Sequence, residues 1–371
     1  MFVTDKKDLR RYRSQYRYWQ GIPGIEVTKN GRIFVCFYSG GMREEHGNYC
    51  MVVQSDDGVR FSEPIAVAVP ENGRNYDPVL WIDPQDRLWF AWSYMSAENG
   101  GVYATLCEDP DAPTLCWSKP KRIGTDVMMN KPTVLSTGEW TFPIAVWDRA
   151  LMLPAWRERY YAHEGEKETG AFLYRTADGG GSFVKVGKAV IQGRSFDEHM
   201  FLELTDGRLA VYVRTAYGIG VAYSSDGGKT WTQGEDSGLG GPCSRFHIRR
   251  LRSGRILLIN HYGFTTRDHL TAMLSEDDGK TWKYKLTIDE RENVSYPDAK
   301  EDENGNIYIV YDRERGSFKN NLEEIYESAR EILYARITET DIIAGKLVSV
   351  GSKLKQIVSK LVPPTSEYAD N

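Results

Sequence analysis

Four residues, met in the order Glu198, Arg214, Arg267 and Tyr296, carry the strongest chemical suggestion in this chain. Glu198 lies in Phe196-Asp197-Glu198-His199-Met200-Phe201, where a polar opening gives way to an apolar run, and Arg214 closes the next run, Val211-Tyr212-Val213-Arg214-Thr215. Arg267 falls in Thr266-Arg267-Asp268 and Tyr296 in Val294-Ser295-Tyr296-Pro297-Asp298. A phenol with a pKa near ~10 is a weak nucleophile that needs an adjacent base or a cationic surround. Glu198 would supply the base. The arginines would grip a carboxylate with a rigid two-pronged fork that lysine cannot reproduce. Each residue has a purely structural reading as well: Tyr296 as a locally bonded core tyrosine, Glu198 as an ion-pair partner of Arg214 or Arg245.

The elements that must position these residues are set by repetition. A small turn followed by an aliphatic or aromatic run recurs at Asn30-Gly31-Arg32, Asp86-Arg87, Thr137-Gly138-Glu139, Asp206-Gly207-Arg208, Ser253-Gly254-Arg255 and Asn304-Gly305-Asn306. Glycine supplies positive φ without steric cost, so each copy reads as a tight hairpin between two strands. Six copies spaced 47 to 69 residues apart, with no long helical pattern, predict an all-β, six-bladed propeller of four-stranded antiparallel blades. The expected blades run over about 18–70, 71–125, 126–190, 191–240, 241–290 and 291–362 of a single domain, with a charged, Glu-rich helical insertion near 320–330. A second motif, Ser/Thr-x-Asp-x-Gly-x-x-Trp/Phe, is complete at Ser224-Asp226-Gly228-Trp231 and Ser275-Asp277-Gly279-Trp282. Thr176-Asp178-Gly180-Phe183 is a close variant, and Gln54-Asp56-Gly58-Phe61 is read as a weaker copy. It describes a self-folding turn and is expected to do no chemistry.

In a propeller the innermost strand of each blade begins beside the axis, so the starts of six such strands meet around one pocket. Those starts hold Gln20-Gly21-Ile22-Pro23, Asn75-Tyr76-Asp77-Pro78, Met129-Asn130-Lys131-Pro132, Phe196-Asp197-Glu198-His199, Ser244-Arg245-Phe246-His247 and Ser295-Tyr296-Pro297-Asp298. So many polar groups are costly in a closed core, and they read either as a solvated ligand cleft or as a plug across the channel. On the first reading Asp77, Lys131, His199, Arg245 and Asp298 are substrate-binding candidates beside the first four.

The repeated Asp motif, with the order Glu, Arg, Arg, Tyr, resembles the sialidase superfamily, over roughly Ile22 to Ile337. The resemblance implies a six-bladed propeller in which the Glu assists a Tyr nucleophile and three arginines hold the carboxylate of the sugar. Two departures stand out. The family's first clamp arginine sits in an Arg-Ile-Pro triplet, and here the triplet is Gly21-Ile22-Pro23. Arg43, Lys131 and Arg245 are the cations expected to compensate, unless the substrate carries its charge elsewhere. The family's acid/base Asp lies in the loop after the first hairpin, which here reads Ser39-Gly40-Gly41-Met42-Arg43-Glu44-Glu45-His46-Gly47. Glu44, Glu45 or His46 would have to protonate the leaving group. The implied function is exo-hydrolysis of a terminal acidic sugar. Its alternatives are hydrolysis or β-elimination on a uronic acid, deoxy sugar or pentose, and glycan binding without catalysis.

Composition removes other classes. Forty-seven basic against 52 acidic residues give a net charge of −5, a field that recruits neither nucleic acid nor an anionic membrane. No stretch nears the ~18 apolar residues of a membrane span, and the basic, aromatic opening Met1–Gln20 lacks a signal-peptide core. Five cysteines without CxxC spacing, and histidines without HxH or HxxxH spacing, give no metal pattern. The expectation is a cytoplasmic protein with free thiols, a glycan or oligosaccharide as partner, no cofactor, and no feature that fixes an oligomeric state.

Overall fold

The structure, a computed structural model, describes residues 1–161, 168–315 and 329–361. Six antiparallel sheets follow one another along the chain, with strands in sequence order from the inside outward except for the chain's first strand. The innermost strands are Trp19–Val27, Arg74–Ile82, Thr133–Val134, Met200–Glu203, His247–Arg250 and Val294–Glu301. Five blades have four strands. Blade one has five, because Phe2–Val3 pairs with the strand Ala66–Ala68 at its outer edge. The helical insertion expected at 320–330 falls almost wholly outside the described residues; Ala329 and Arg330 are not helical and lead into the strand Glu331–Thr338, with Arg330 at φ 45°.

The six hairpins that announced the fold close identically. The amide of Thr28 donates to the carbonyl of Arg32 at 2.9 Å, Asp83 to Arg87 at 3.0 Å, Leu204 to Arg208 at 2.8 Å and Leu251 to Arg255 at 2.7 Å, with Leu135 and Asp302 doing the same. The third loop residue is left-handed each time: Gly31 at φ 88°, Gly207 at φ 82°, and Asp86 at φ 63° where the glycine is missing. This is the three-residue hairpin with a left-handed third position.

Each Asp motif bridges the third and fourth strands of its blade. In the complete copies the Ser224 and Ser275 hydroxyls donate to Asp226 and Asp277 and accept from the Gly228 and Gly279 amides, while each Asp also accepts from Thr230 or Thr281. The copy in blade one differs from the register read in the sequence. Ser55 and Asp57 make these contacts, not Gln54 and Asp56, because the turn is one residue shorter before Gly58. The hydroxyl that seemed lost is Ser55.

Six buried apolar clusters fill the spaces between neighbouring blades rather than a common centre. Ring closure between blades one and six uses one of them, joining Ile25 and Val35 to Val310 and Ile332. Polar side chains complete the seam: Gln20 donates to the carbonyls of Arg330 and Ser359 at 2.7 and 3.0 Å, and buried Arg330 donates to the Tyr18 carbonyl at 3.1 Å. The aromatic residues divide similarly. Trp19 packs on Tyr38 and Trp92 stacks on Phe2, whereas Trp147 and Trp156 stand near the axial cleft.

Candidate functional site

The polar strand starts separate into two layers, because each innermost strand runs from the cleft into the channel. The outer layer opens on a backbone device that three adjacent blades share. In blades six, one and two the pairing of the first two strands skips a residue, between Ser295 and Asp298, Gly21 and Gly24, and Tyr76 and Val79. At each bulge a residue with positive φ precedes a proline: Tyr296 at 57°, Ile22 at 56° and Asp77 at 48°. The proline has no N–H to lose from the ladder, which is why the bulge settles there. A left-handed Ile or Tyr costs about 1–3 kcal/mol, and such strain persists where the surrounding structure enforces it.

Tyr296 is 5% exposed, and its hydroxyl donates to Glu198 Oε1 at 2.9 Å. Arg214 Nη1 lies 2.5 Å from the same carboxylate oxygen and 3.0 Å from the Tyr296 Oη. Blade four delivers Glu198 through consecutive left-handed residues, Phe196 and Asp197, and Arg214 from the end of its second strand, Leu209–Thr215. The Arg267 guanidinium stands 5.2 Å from the Tyr296 ring centroid. Burial pushes the phenol up to about 12, Glu198 adds to the rise, and Arg214, Arg267 and Arg315 hold it back. A phenol in that range keeps its proton at neutral pH, so it attacks only as a base removes it, and Glu198 is in hydrogen-bond contact to do so. Tyr76, Trp147 and Phe196 form an aromatic wall nearby, and the Arg214 guanidinium lies over Phe196.

The space opened by Gly21 is filled. A Cβ at position 21 would lie 2.9 Å from Arg315 Cδ and 3.0 Å from its Cβ. Arg315 sits just beyond the second strand of blade six, Asn306–Arg313, and places its guanidinium 4.3 Å from the Tyr296 ring centroid. Ser295 Oγ accepts from its Nη2 at 3.1 Å, and Glu44 is 3.6 Å away. The three cations expected to compensate for the missing arginine stand elsewhere. Arg43 is an exposed loop residue, and Lys131 and Arg245 belong to the inner layer.

That inner layer is a plug. Lys131 donates to Glu26 at 2.7 Å, to the Leu80 carbonyl at 3.1 Å and to the Ile25 carbonyl, and lies 3.1 Å from Asp298. Arg245 donates to Asn130 at 2.7 Å and to the Pro23 carbonyl at 2.9 Å. Asn130 in turn donates to the His199 carbonyl, and His247 approaches Asp298 at 3.3 Å. The network touches all six blades. Lys131, Arg245, Asp298 and His199, candidates for substrate contact in the sequence, are buried and engaged here: the His199 ring nitrogens face the carbonyls of Asp197 and Phe172. Burial takes these groups out of bulk solvent, and the partners that offset its cost are chiefly one another.

The loop after the first hairpin contributes one of its three acid/base candidates. Glu44 reaches the cleft, 3.6 Å from Arg315 and 3.9 Å from Arg74. Glu45 turns back to accept from the Met42 amide at 2.7 Å, and exposed His46 points its Nδ1 at the Tyr160 hydroxyl, 2.9 Å away. Burial and Arg159 lower the His46 imidazole. Asp77 is buried on the bulge of blade two.

Arg315 and Arg74 were missed in the sequence. Second strands run antiparallel to the first, so their ends face the same cleft as the first strands' starts, and Arg315 follows such an end as Arg214 does. Arg74 opens its strand one residue before the start assigned to it, and its guanidinium is layered between Tyr76 and Trp156 at 4.6 and 4.5 Å. On the opposite face a cavity of about 1090 Å³ opens among the hairpin turns, but it holds neither the phenol nor its base.

A family model described as a BNR repeat-like domain matches residues 31–309. Among solved structures, a protein of unknown function from Dyadobacter fermentans is 20% identical, with 82% of this chain and 93% of that one covered at a TM-score of 0.64. The NanB sialidase of Streptococcus pneumoniae is 14% identical over 89% of this chain and 70% of that one, TM-score 0.65. The intramolecular trans-sialidase of Ruminococcus gnavus is 13% identical over 88% and 95%, TM-score 0.62. At these identities the likeness is one of fold. No curated protein matches the chain.

Proposed function

Because the chain belongs to the BNR repeat-like domain family and has the propeller of the sialidase superfamily, we propose that it is an exo-acting glycoside hydrolase that removes a terminal acidic sugar. The observation that carries this reading is the 2.9 Å bond from the Tyr296 hydroxyl to Glu198, with Arg214 on both. In the proposed reaction Tyr296 attacks the anomeric carbon as Glu198 takes the phenol proton. Arg214, Arg267 and Arg315 surround the ring with positive charge, which suits a substrate carboxylate and the developing phenolate alike. The leaving oxygen draws a proton from a carboxyl of the cleft, where Glu44 and Asp77 stand.

The test is release of phenol from aryl glycosides of sialic acid, other ulosonic acids, glucuronic acid, rhamnose and arabinose. Turnover of an acidic glycoside supports the reading. Turnover of a neutral one keeps the nucleophile and removes the carboxylate grip. A product absorbing near 235 nm from a uronide would instead mean β-elimination, and saturable binding without product a glycan-binding propeller.

Arg315 gives this reading a sharper form. Arg315→Ala should lower kcat/KM for an acidic glycoside about ten- to a hundredfold, the worth of one charge-assisted bond to a carboxylate. Gly21→Arg alone should also lose activity, since its Cβ collides with Arg315. Combining the two substitutions should restore much of it by returning one guanidinium to one space. Steady-state kinetics of the three variants would decide; a double variant no better than either single would separate Arg315 from substrate binding.

A further inference from the structure

On the hydrolase reading above, we propose that Asp77, rather than any residue of the first-blade loop, is the proton donor to the leaving oxygen. Asp77 and Tyr296 occupy equivalent places. Each is the left-handed residue before a proline on a one-residue bulge, in the two blades that flank blade one. One backbone device therefore presents a nucleophile on one side of blade one and a carboxyl on the other.

The carboxyl has no structural employment. Among the described residues no hydrogen bond or ion pair engages it, whereas Asp298, Asp312 and Asp197, equally buried, all have partners. Around it stand Glu44 and Tyr38 of blade one, Arg74 and Tyr76 of its own strand, Glu198 of blade four and Arg245 of blade five. A buried carboxyl without a bonded cation keeps its proton. Burial, then Glu44 and Glu198, hold Asp77 well above the usual carboxylate range, against the pull of Arg74 and Arg245.

The loop residues are placed for other work. Glu44 is engaged by two guanidiniums, 3.6 Å from Arg315 and 3.9 Å from Arg74. Glu45 is folded onto its own loop, and His46, lowered by burial and Arg159, has no imidazolium proton to give at neutral pH. Glu198, bonded to Arg214 and the phenol, is set up as the base. Two carboxyls of one cleft, one bonded to the phenol and the other without a bonded partner, suit the separate roles of base and acid.

The step balances. The Tyr296 oxygen bonds to the anomeric carbon as its proton passes to Glu198. The glycosidic C–O bond breaks, its electron pair goes to the leaving oxygen, and that oxygen takes the Asp77 proton. In the second half the Asp77 carboxylate takes a proton from water as the water oxygen attacks the anomeric carbon. The bond to Tyr296 breaks and the phenolate recovers its proton from Glu198.

The experiment compares Asp77→Asn, Glu44→Gln and the wild-type protein on two glycosides of the same sugar, one with a nitrophenol and one with an unactivated alkyl leaving group. A nitrophenolate departs without protonation. Asp77→Asn should therefore lose about 10²–10⁴-fold on the alkyl glycoside and far less on the aryl one. Glu44→Gln should affect the two alike. In the wild type, kcat/KM for the alkyl glycoside should fall as pH rises through the raised Asp77 value, and the aryl glycoside should lack that limb. This second measurement needs no substitution, so a misfolded variant does not protect the proposal. Equal losses on both glycosides for Asp77→Asn, or a selective loss for Glu44→Gln, would overturn the assignment. A wild type active on the aryl glycoside with no leaving-group dependence removes Asp77 alone. A wild type silent on both removes hydrolysis, and Asp77's role with it.

Discussion

Tyr296→Phe is expected to reduce kcat by about 10⁴-fold or more while leaving the fold intact. The substitution removes one oxygen from a buried ring and keeps the aromatic surface packed beneath Arg267 and Arg315. It leaves Glu198 bonded to Arg214, so no buried charge loses its partner. The stability change should stay near ~1 kcal/mol, the worth of one hydrogen bond. Glu198→Gln behaves differently. It removes the base, for a loss of about 10²–10⁴-fold in kcat, and it also deprives Arg214 of its counter-charge. Its melting temperature should fall well below that of Tyr296→Phe. Turnover of whichever aryl glycoside the wild type accepts, with calorimetry alongside, separates the two effects. A Phe variant with wild-type kcat would exclude the phenol as nucleophile and turn attention to the carboxylates.

The second large effect is on stability. Lys131→Met should cost about 3–5 kcal/mol, the range for breaking a buried ion pair from one side, out of a typical total of ~5–15 kcal/mol. Lys131 joins Glu26, Asp298 and backbone carbonyls of blades one and two. Glu26 retains Lys300 at 3.1 Å, so the group left worst off is Asp298. Burial works against that carboxylate, but Lys131, His247 and Arg245 hold it far below the usual range. A carboxylate depressed in the folded state contributes stability above its unfolded pKa of ~3.9 and loses it as pH falls towards the folded value. Urea unfolding should show a wild-type advantage that is full at pH 7 and shrinks below about pH 4. Adding Asp298→Asn to Lys131→Met should recover part of the loss, because removing both partners leaves less charge stranded. A single variant as stable as the wild type would mean that the plug does not hold the blades together.

How much was legible in the sequence differs by level. The six hairpins were, since a turn that needs a left-handed third residue marks itself with glycine five times in six. The outer layer of the site was partly so, because Glu198 and Tyr296 follow directly from asking which polar residues open innermost strands. The first Asp motif was misread by one residue, where a shortened turn moved the hydroxyl from the expected position to Ser55. Arg315 was overlooked because, Arg214 apart, only strand starts were followed to the axis, although strand ends reach the same rim.

The chain alone determined the blade count, the antiparallel sheets and the kinds of group gathered at the axis. These rest on local turn chemistry and on the short apolar runs that follow each turn, which neighbours in sequence carry between them. The tertiary structure decided which axial groups face the cleft and which close the channel. Lys131, Arg245 and Asp298 look like ligand contacts when read as types, yet they are each other's partners. Glutamate and arginine cost too much to bury alone, so each is fixed by whichever opposite charge the closed ring brings beside it. Such pairings join residues from different blades, as Arg315 with Glu44 does, and no stretch of sequence contains both halves.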